Sequence, residues 1–189
     1  ALLAGDAMQA LAFEVLTPAD GSLPAAQQAR LCALLARGAG HEGMAGGQAI
    51  DLASVGRALD ERTLRDMHQR KTGALLLCSV MMGAACGEHD ASAARSTSAL
   101  TRYGRALGLA FQVVDDILDV TQDSAVLGKT AGKDVDQNKP TYVSILGLDA
   151  ARRLADELRV EAEAALRDSG LSHTTRLQQL AERVVQRQH

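Results

Sequence analysis

Three aspartates lie close together in an otherwise apolar stretch, FQVVDDILDV, at residues 111–120. Each of Asp115, Asp116 and Asp119 would be costly to bury as an ionised carboxylate unless water, an opposite charge or a metal ion compensated it. Asp115 and Asp119 are four positions apart, where two like charges destabilise a helix slightly and a hard cation would reverse that effect. By spacing alone, a metal site and a solvated helix face fit these residues equally well.

A helical wheel places the carboxylates beside the predicted core face of this helix. With Leu107 as the origin, Asp115, Asp119 and Asp116 fall at roughly 80°, 120° and 180°. Gly104 and Gly108 leave little side-chain bulk on the carboxylate side, so we expect a cavity to open there. The predicted core face is an apolar stripe formed by Leu107, Phe111, Val114 and Leu118.

Magnesium is the cation that suits a sparse row of aspartates. It takes one or two carboxylates and fills its other octahedral positions with water and phosphate oxygens. The polar segment that follows, residues 121–142, carries Lys129, Lys133 and Lys139. Lysines next to a magnesium site are what a di- or triphosphate needs, so this segment favours the metal site over a solvated face.

Two further groups of polar residues lie elsewhere in the sequence. Lys71 and Thr72, in HQRKTGALLL, stand at the polar entrance to an uncharged run, and taken alone they are an ordinary capping cation and hydroxyl. Gln48 and Asp51, in GGQAIDL, are one helical turn apart and can face the same groove. Taken alone, that pair is a surface feature.

The composition predicts one all-α domain. The 189 residues are 47% hydrophobic and only 2% aromatic, and good helix formers dominate over β-branched runs. No alternation typical of strands competes with the helical spacing. Gly, Pro and Asp residues mark the ends of helical segments. Their positions predict helices at about residues 1–16, 24–45, 60–87, 92–121, 141–168 and 174–187.

Charge and cysteine content disfavour several classes of function. A net charge of -3, with both signs interspersed, disfavours nucleic-acid binding. The longest uncharged run, GALLLCSVMMGAACG, falls short of the roughly 20 residues that a membrane span needs. Three cysteines without a C-x-x-C pair indicate neither a disulfide framework nor a zinc site, so we expect a cytoplasmic protein.

The motifs together resemble those of a known family. FQVVDDILD, followed by LGKTAGKD and QNKPTY, is similar to the second aspartate-rich motif and lysine loop of the trans-prenyltransferases, the isoprenyl diphosphate synthases. The resemblance continues in GDAMQALAFEVL, GMAGGQAIDL, HQRKTGALL and ERVVQRQ, and so covers essentially the whole chain. It implies a helical bundle around a central apolar cavity, usually as a homodimer.

The resemblance also implies that the bundle is incomplete at the N-terminus. The family's first aspartate-rich motif lies upstream, and no D-D-x-x-D occurs outside residues 115–119. The chain is therefore expected to begin inside a helix. On this reading, residues 1–189 are the C-terminal two thirds of a single prenyltransferase domain and carry part of its active site.

The reaction that the resemblance implies is the magnesium-dependent head-to-tail condensation of isopentenyl diphosphate with an allylic diphosphate, either dimethylallyl or geranyl. The product would be a short-chain prenyl diphosphate, with farnesyl diphosphate favoured. The alternative is a non-catalytic partner subunit of a heteromeric prenyltransferase. A helical terpene cyclase ranks below both, because such enzymes do not normally carry the Lys-Thr and lysine-loop pattern.

Family roles carry over to the matching aspartates. Asp115 would ligate magnesium directly, whereas Asp116 and Asp119 would act more through ordered water.

The other matching residues would contact substrate. Lys71, Lys129 and Lys139 would hold the allylic diphosphate. The Lys71 carbonyl, the Thr72 hydroxyl and the Gln112 side-chain carbonyl would point their dipoles at the allylic cation. We also expect Gln48 and Asp51 to face the substrate groove.

Overall fold

The protein is described here from a computed structural model that covers residues 2–87, 93–122 and 140–187. These residues form helices and contain no strand, which confirms the all-α prediction. We name the α-helices α1 to α9 in chain order, and α4 continues into α5 through a π-helical turn, Gln69–Gly73. The helices are α1 Leu2–Leu16, α2 Ala25–Ala39, α3 Met44–Ala53, α4 Glu61–His68, α5 Ala74–Ala85, α6 Ala93–Gln122, α7 Tyr142–Leu146, α8 Leu148–Asp168 and α9 Thr175–Gln186.

Helix α6 is the centre of the bundle. It packs most extensively on α8 and also contacts α5, α7, α9 and the π-helical turn. Tyr103 and Val113 on α6 have no exposed surface, and the Tyr103 hydroxyl donates to the carbonyl of Leu177 on α9 at 2.8 Å. The long helix that carries the aspartates is thus held by neighbours on several sides.

The close packing of α8 on α6 follows from the small residues of α8. Its buried face repeats at helical spacing through Ala151, Ala155, Ala162 and Ala165. Because alanine side chains are short, the two helix axes can approach closely without leaving voids.

The chain breaks helices at glycines where the sequence predicted continuous segments. The predicted helix 24–45 ends at Ala39, and the chain turns through residues 40–43 before α3 begins. A Cβ at Gly43 would lie 2.1 Å from the Gly38 carbonyl oxygen, so this turn requires glycine. The predicted helix 141–168 is likewise interrupted at Gly147, whose φ of 81° is unfavourable for other residues.

Helix α1 stands at the edge of the described structure and has no buried residue. Its apolar side chains are unusually exposed, with Leu2 at 79%, Leu3 at 81% and Val15 at 68%. Within the described ranges, no helix is both long enough and apolar enough to cross a membrane.

Candidate active site

The π-helical turn Gln69–Gly73 positions Lys71 and Thr72. Two glycines let neighbouring helices approach it from different sides. A Cβ at Gly47 of α3 would lie 2.2 Å from the Lys71 amide nitrogen, and a Cβ at Gly108 of α6 would lie 2.7 Å from the Gly73 Cα. The backbone of the turn is therefore fixed between α3 and α6, and π-helical turns often occur at functional sites.

Lys71 is paired with Asp51. Lys71 Nζ lies 2.6 Å from Asp51 Oδ2, and the two side chains are 34% and 14% exposed, respectively. The ammonium therefore reaches solvent while the carboxylate behind it is more deeply set. Gln48 lies one turn earlier on α3 and is half-buried, so the predicted α3 pair stands next to the predicted lysine.

Thr72 and Gln112 meet across the interface between the π-helical turn and α6. The Thr72 hydroxyl donates to Gln112 Oε1 at 2.9 Å, and both residues are half-buried. These two residues are 40 positions apart, and the contact joins two parts of the sequence that were predicted to share one site. Asp115 follows Gln112 by three residues on the same helix.

The three aspartates have three different environments. The Asp115 side chain is half-exposed, and its Oδ1 accepts from Arg187 Nη2 at 2.8 Å. Asp116 is only 4% exposed, and its Oδ2 accepts from the backbone N–H of Tyr142 at 2.7 Å. Asp119 is exposed.

The helical wheel predicted the wrong order of burial for these three aspartates. It placed Asp116 furthest from the apolar stripe, yet Asp116 is the most buried of the three. The reason is that α7 packs against α6 and covers the side that carries Asp116. A single stripe describes a helix with one buried face, and α6 is buried on more than one side.

The cavity predicted beside Gly104 and Gly108 is absent at those positions. A Cβ on Gly104 would lie 2.9 Å from Leu77 Cδ1, and Gly108 meets Gly73. The glycines therefore serve close packing of α6 against α5 and the π-helical turn. A cavity of about 500 Å³ does lie beside that turn, but its lining mixes apolar residues with charged ones such as Arg70 and Arg105, and it includes none of the predicted site residues.

The lysine loop lies outside the described residues. This applies to Lys129, Lys133 and Lys139, of which Lys129 and Lys139 were predicted to bind the allylic diphosphate. Among the residues that are described, no three His, Cys, Asp or Glu side chains are grouped so that they could hold a metal ion.

The structure adds Arg187, for which the sequence predicted no role. It follows the last residue of α9 and reaches back to Asp115 on α6. Its guanidinium carbon lies 4.0 Å from the centre of the Phe111 ring. The two ionic partners are 72 positions apart, so spacing along the chain gave no signal for this pair.

Comparison with known proteins gives the family. The sequence model of the family described as Polyprenyl synthetase matches residues 1–181. A farnesyl diphosphate synthase of Haemophilus influenzae is 42% identical over 187 residues, which are 99% of this chain and 62% of that protein. A chloroplastic geranylgeranyl pyrophosphate synthase of Catharanthus roseus is 43% identical over 167 residues, 88% of this chain and 46% of that protein.

A solved structure agrees with these matches. The geranyltransferase of Helicobacter pylori, complexed with magnesium and isoprenyl diphosphate, superposes with a TM-score of 0.78 at 32% identity, covering 97% of this chain and 58% of that one. The chain thus spans less than two thirds of the length of each of these relatives. Because the family model matches nearly the whole chain, the chain belongs to the polyprenyl synthetase family.

Proposed function

We propose that the protein catalyses the magnesium-dependent head-to-tail condensation of isopentenyl diphosphate with dimethylallyl or geranyl diphosphate. Farnesyl diphosphate is the product we favour, because farnesyl diphosphate synthases are among the relatives that match nearly the whole chain. The observation that carries the proposal is the Thr72–Gln112 hydrogen bond, which joins the Lys-Thr turn to the aspartate helix in a member of this family.

The residues around Asp115 fit a magnesium ion. Asp115 is half-exposed and Asp119, one turn later, is exposed, which leaves room for water and phosphate oxygens around one carboxylate ligand. When bound, magnesium neutralises negative charge on a diphosphate leaving group. Asp116 cannot turn outward without giving up its bond to the Tyr142 amide, so we assign it an indirect role.

Lys71 is suited to holding a diphosphate oxygen. An ammonium has three N–H donors, and the contact with Asp51 takes one of them. Asp51 thereby orients the lysine while two donors remain for phosphate. We propose that Lys129 and Lys139 complete this diphosphate site, and that Gln48 lies at its edge.

Thr72 and Gln112 are suited to stabilising an allylic cation. Their hydrogen bond fixes the directions of a hydroxyl oxygen and an amide oxygen before any charge develops. Preorganised dipoles of this kind stabilise a cation without reorganisation. Neither oxygen is an ionised nucleophile that would trap the cation, so the isopentenyl double bond can attack it.

Residues 1–189 would form the C-terminal two thirds of one prenyltransferase domain. A homodimer is the assembly we propose, on the resemblance to the family. The exposed apolar side chains of α1 would be covered by the rest of the domain or by the partner subunit. The three free cysteines are consistent with a reducing compartment such as the cytoplasm.

The test is product analysis of the full-length protein with magnesium, isopentenyl diphosphate and geranyl diphosphate. We expect farnesyl diphosphate from the wild type and a loss of turnover of at least about a hundredfold in Asp115→Ala, because the proposed metal ligand is gone. Asp149→Ala, which removes an exposed carboxylate of α8, is the matched control and should keep full activity. Full activity of Asp115→Ala with unchanged helix content would refute its role.

The alternative, a non-catalytic partner subunit, predicts no product from the purified protein and a heteromer in native mass spectrometry. The relatives named above are synthases and a transferase, so the comparisons favour the catalytic reading.

A further inference from the structure

Arg187 holds one oxygen of the proposed metal carboxylate in a fixed place. Its Nη2 atom lies 2.8 Å from Asp115 Oδ1 and 2.8 Å from the carbonyl oxygen of Phe111. Such a nitrogen carries two N–H groups, so each acceptor can take one of them. The guanidinium carbon also lies over the Phe111 ring. Because one acceptor is a backbone carbonyl of α6, the guanidinium is fixed relative to the helix, and Asp115 Oδ1 is fixed with it.

The contact leaves the other oxygen of Asp115 available. Oδ2 has no hydrogen-bond partner among the residues that the structure describes. The Asp115 side chain is 50% exposed, whereas the Arg187 side chain is only 20% exposed. The arginine is therefore the inner member of the pair, and the carboxylate is the member that solvent and ligands can reach.

One oxygen held and one oxygen free is a common state of a carboxylate that ligates a metal. The oxygen that does not bind the metal usually accepts a hydrogen bond from an outer partner, which keeps the carboxylate in the orientation for ligation. Magnesium that takes one carboxylate fills its other positions with water and phosphate oxygens. Arg187 has the place of such an outer partner.

The charge of Arg187 suits a metal ion that arrives together with a diphosphate. Within the described ranges, no three His, Cys, Asp or Glu side chains are grouped so that they could hold a cation without such help. A diphosphate carries more negative charge than one magnesium ion neutralises, so the complex of the two is an anion. A carboxylate next to a guanidinium repels that anion less than a carboxylate alone would.

We propose that Arg187 is a positioning residue for Asp115, and that it holds Oδ1 so that Oδ2 can ligate the magnesium of a magnesium–diphosphate complex. Arg187 acts only through Asp115 and does not itself bind the diphosphate. The proposal deepens the proposed function and rests on it in one respect, the assignment of Asp115 as the metal ligand.

Calorimetry of the full-length protein with magnesium and inorganic diphosphate tests the site without any prenyl transfer. We expect Arg187→Gln to weaken this binding by about tenfold to a hundredfold, the usual effect of losing an outer partner. Arg187→Lys keeps a charged donor but loses the planar group that stacks on Phe111, so its affinity should lie between those of the wild type and Arg187→Gln. Arg183→Gln removes an exposed charge one turn earlier on α9 and should bind as the wild type does.

A double-mutant cycle separates positioning from direct contact with the diphosphate. Asp115→Asn should weaken binding by itself. In that background Arg187→Gln should cause little further loss, because the side chain that it positions no longer ligates magnesium. A further loss as large as the one in the wild type would mean that Arg187 binds the diphosphate directly, and it would overturn the proposal.

Steady-state kinetics supplies a readout that a merely structural role would not change. In Arg187→Gln, the magnesium concentration that gives half the maximal rate should rise, whereas kcat at saturating magnesium should largely be retained. A lower kcat with an unchanged dependence on magnesium would indicate damage to the fold and would contradict the positioning role.

The outcomes distinguish this proposal from the proposed function. Unchanged magnesium–diphosphate binding by Arg187→Gln would overturn the positioning role and leave the reaction in place. Binding that needs no magnesium, or that Asp115→Asn does not alter, would overturn both the metal assignment and the positioning role. Weaker binding by Arg187→Gln in a protein that forms no prenyl diphosphate would sustain the positioning role while refuting the proposed reaction.

Discussion

Asp115, Asp116 and Asp119 have similar chemistry and unequal positions. Asp115 is accessible to solvent and paired with a guanidinium, Asp116 is buried against a backbone amide, and Asp119 is exposed. Ligating a metal requires an accessible carboxylate, whereas joining α7 to α6 requires a buried one. We therefore assign metal chemistry mainly to Asp115 and a largely structural role to Asp116.

Replacing Asp116 tests the structural role that we assign to it. In Asp116→Ala the buried N–H of Tyr142 loses its acceptor, so we expect the free energy of unfolding to fall by about 2 kcal/mol. Asp119→Ala removes an exposed carboxylate and should change stability by less than about 0.5 kcal/mol. Urea denaturation followed by circular dichroism measures both variants. Equal stability of the two would mean that the Asp116–Tyr142 bond contributes nothing.

At the residue scale, the roles assigned to the site residues from the sequence stay predictions, and the structure shows only how these residues are placed. The aspartates, Lys71 and Thr72 stand out by spacing and type, and the structure brings Thr72 to Gln112. The burial of Asp116 was not predictable, because it depends on Tyr142, 26 positions away. The contact of Asp115 with Arg187 depends on where α9 ends.

At the scale of elements, the π-helical turn and the helices that hold it determine where the site lies. The α3 backbone reaches the turn at Gly47, and the α6 backbone reaches it at Gly108. No side chain larger than hydrogen fits at either contact. The positions of Lys71 and Thr72 are therefore set by helix packing and not by a flexible loop.

Substituting Gly47 should disturb the site through this packing. A Cβ 2.2 Å from the Lys71 amide nitrogen forces α3 and the turn apart, so we expect Gly47→Ala to lose about 2 kcal/mol of stability. The Michaelis constant for geranyl diphosphate should also rise, because Lys71 moves. Urea denaturation and steady-state kinetics measure these effects.

Gly83 provides the matched control. It lies within α5, and a Cβ there has no atom within 4 Å, so Gly83→Ala should stabilise the protein by about 0.5–1 kcal/mol. If both alanine variants were equally stable, the close approach at Gly47 would not hold the turn.

Element boundaries were predictable to the extent that glycines end helices. The sequence located most of the helices, including the long one that became α6. It missed most of α3, joined α2 to the turn before α3 and joined α7 to α8. Gly104 and Gly108 were interpreted as space for a cavity. In the structure they allow close helix contact, because an absent side chain is equally compatible with a void and with a neighbour.

At the scale of the whole molecule, each of the two tyrosines of the chain connects two helices of the bundle. Both have no exposed surface. Tyr103 connects α6 to α9 through the Leu177 carbonyl. Tyr142 connects α7 to α4, since its ring stacks on that of His68 with 5.8 Å between the centroids. The central helix and the elements around it therefore share a core in which both tyrosine side chains are buried.

Alkaline titration tests this core. Burial raises the pKa of Tyr103 and of Tyr142 from 10.0 to about 12. Because the folded protein keeps both protonated where the unfolded chain would lose the protons, their contribution to stability is complete below pH 10 and is lost as the pH rises toward 12. Urea denaturation should therefore give a midpoint that falls steeply in this window.

The variant Tyr103→Phe has no hydroxyl to ionise at this position, so its midpoint should fall less steeply with pH than that of the wild type. Its stability at pH 8 should be lower, because the bond to the Leu177 carbonyl is lost. Parallel curves for the two proteins would mean that Tyr103 is accessible to solvent in the native bundle.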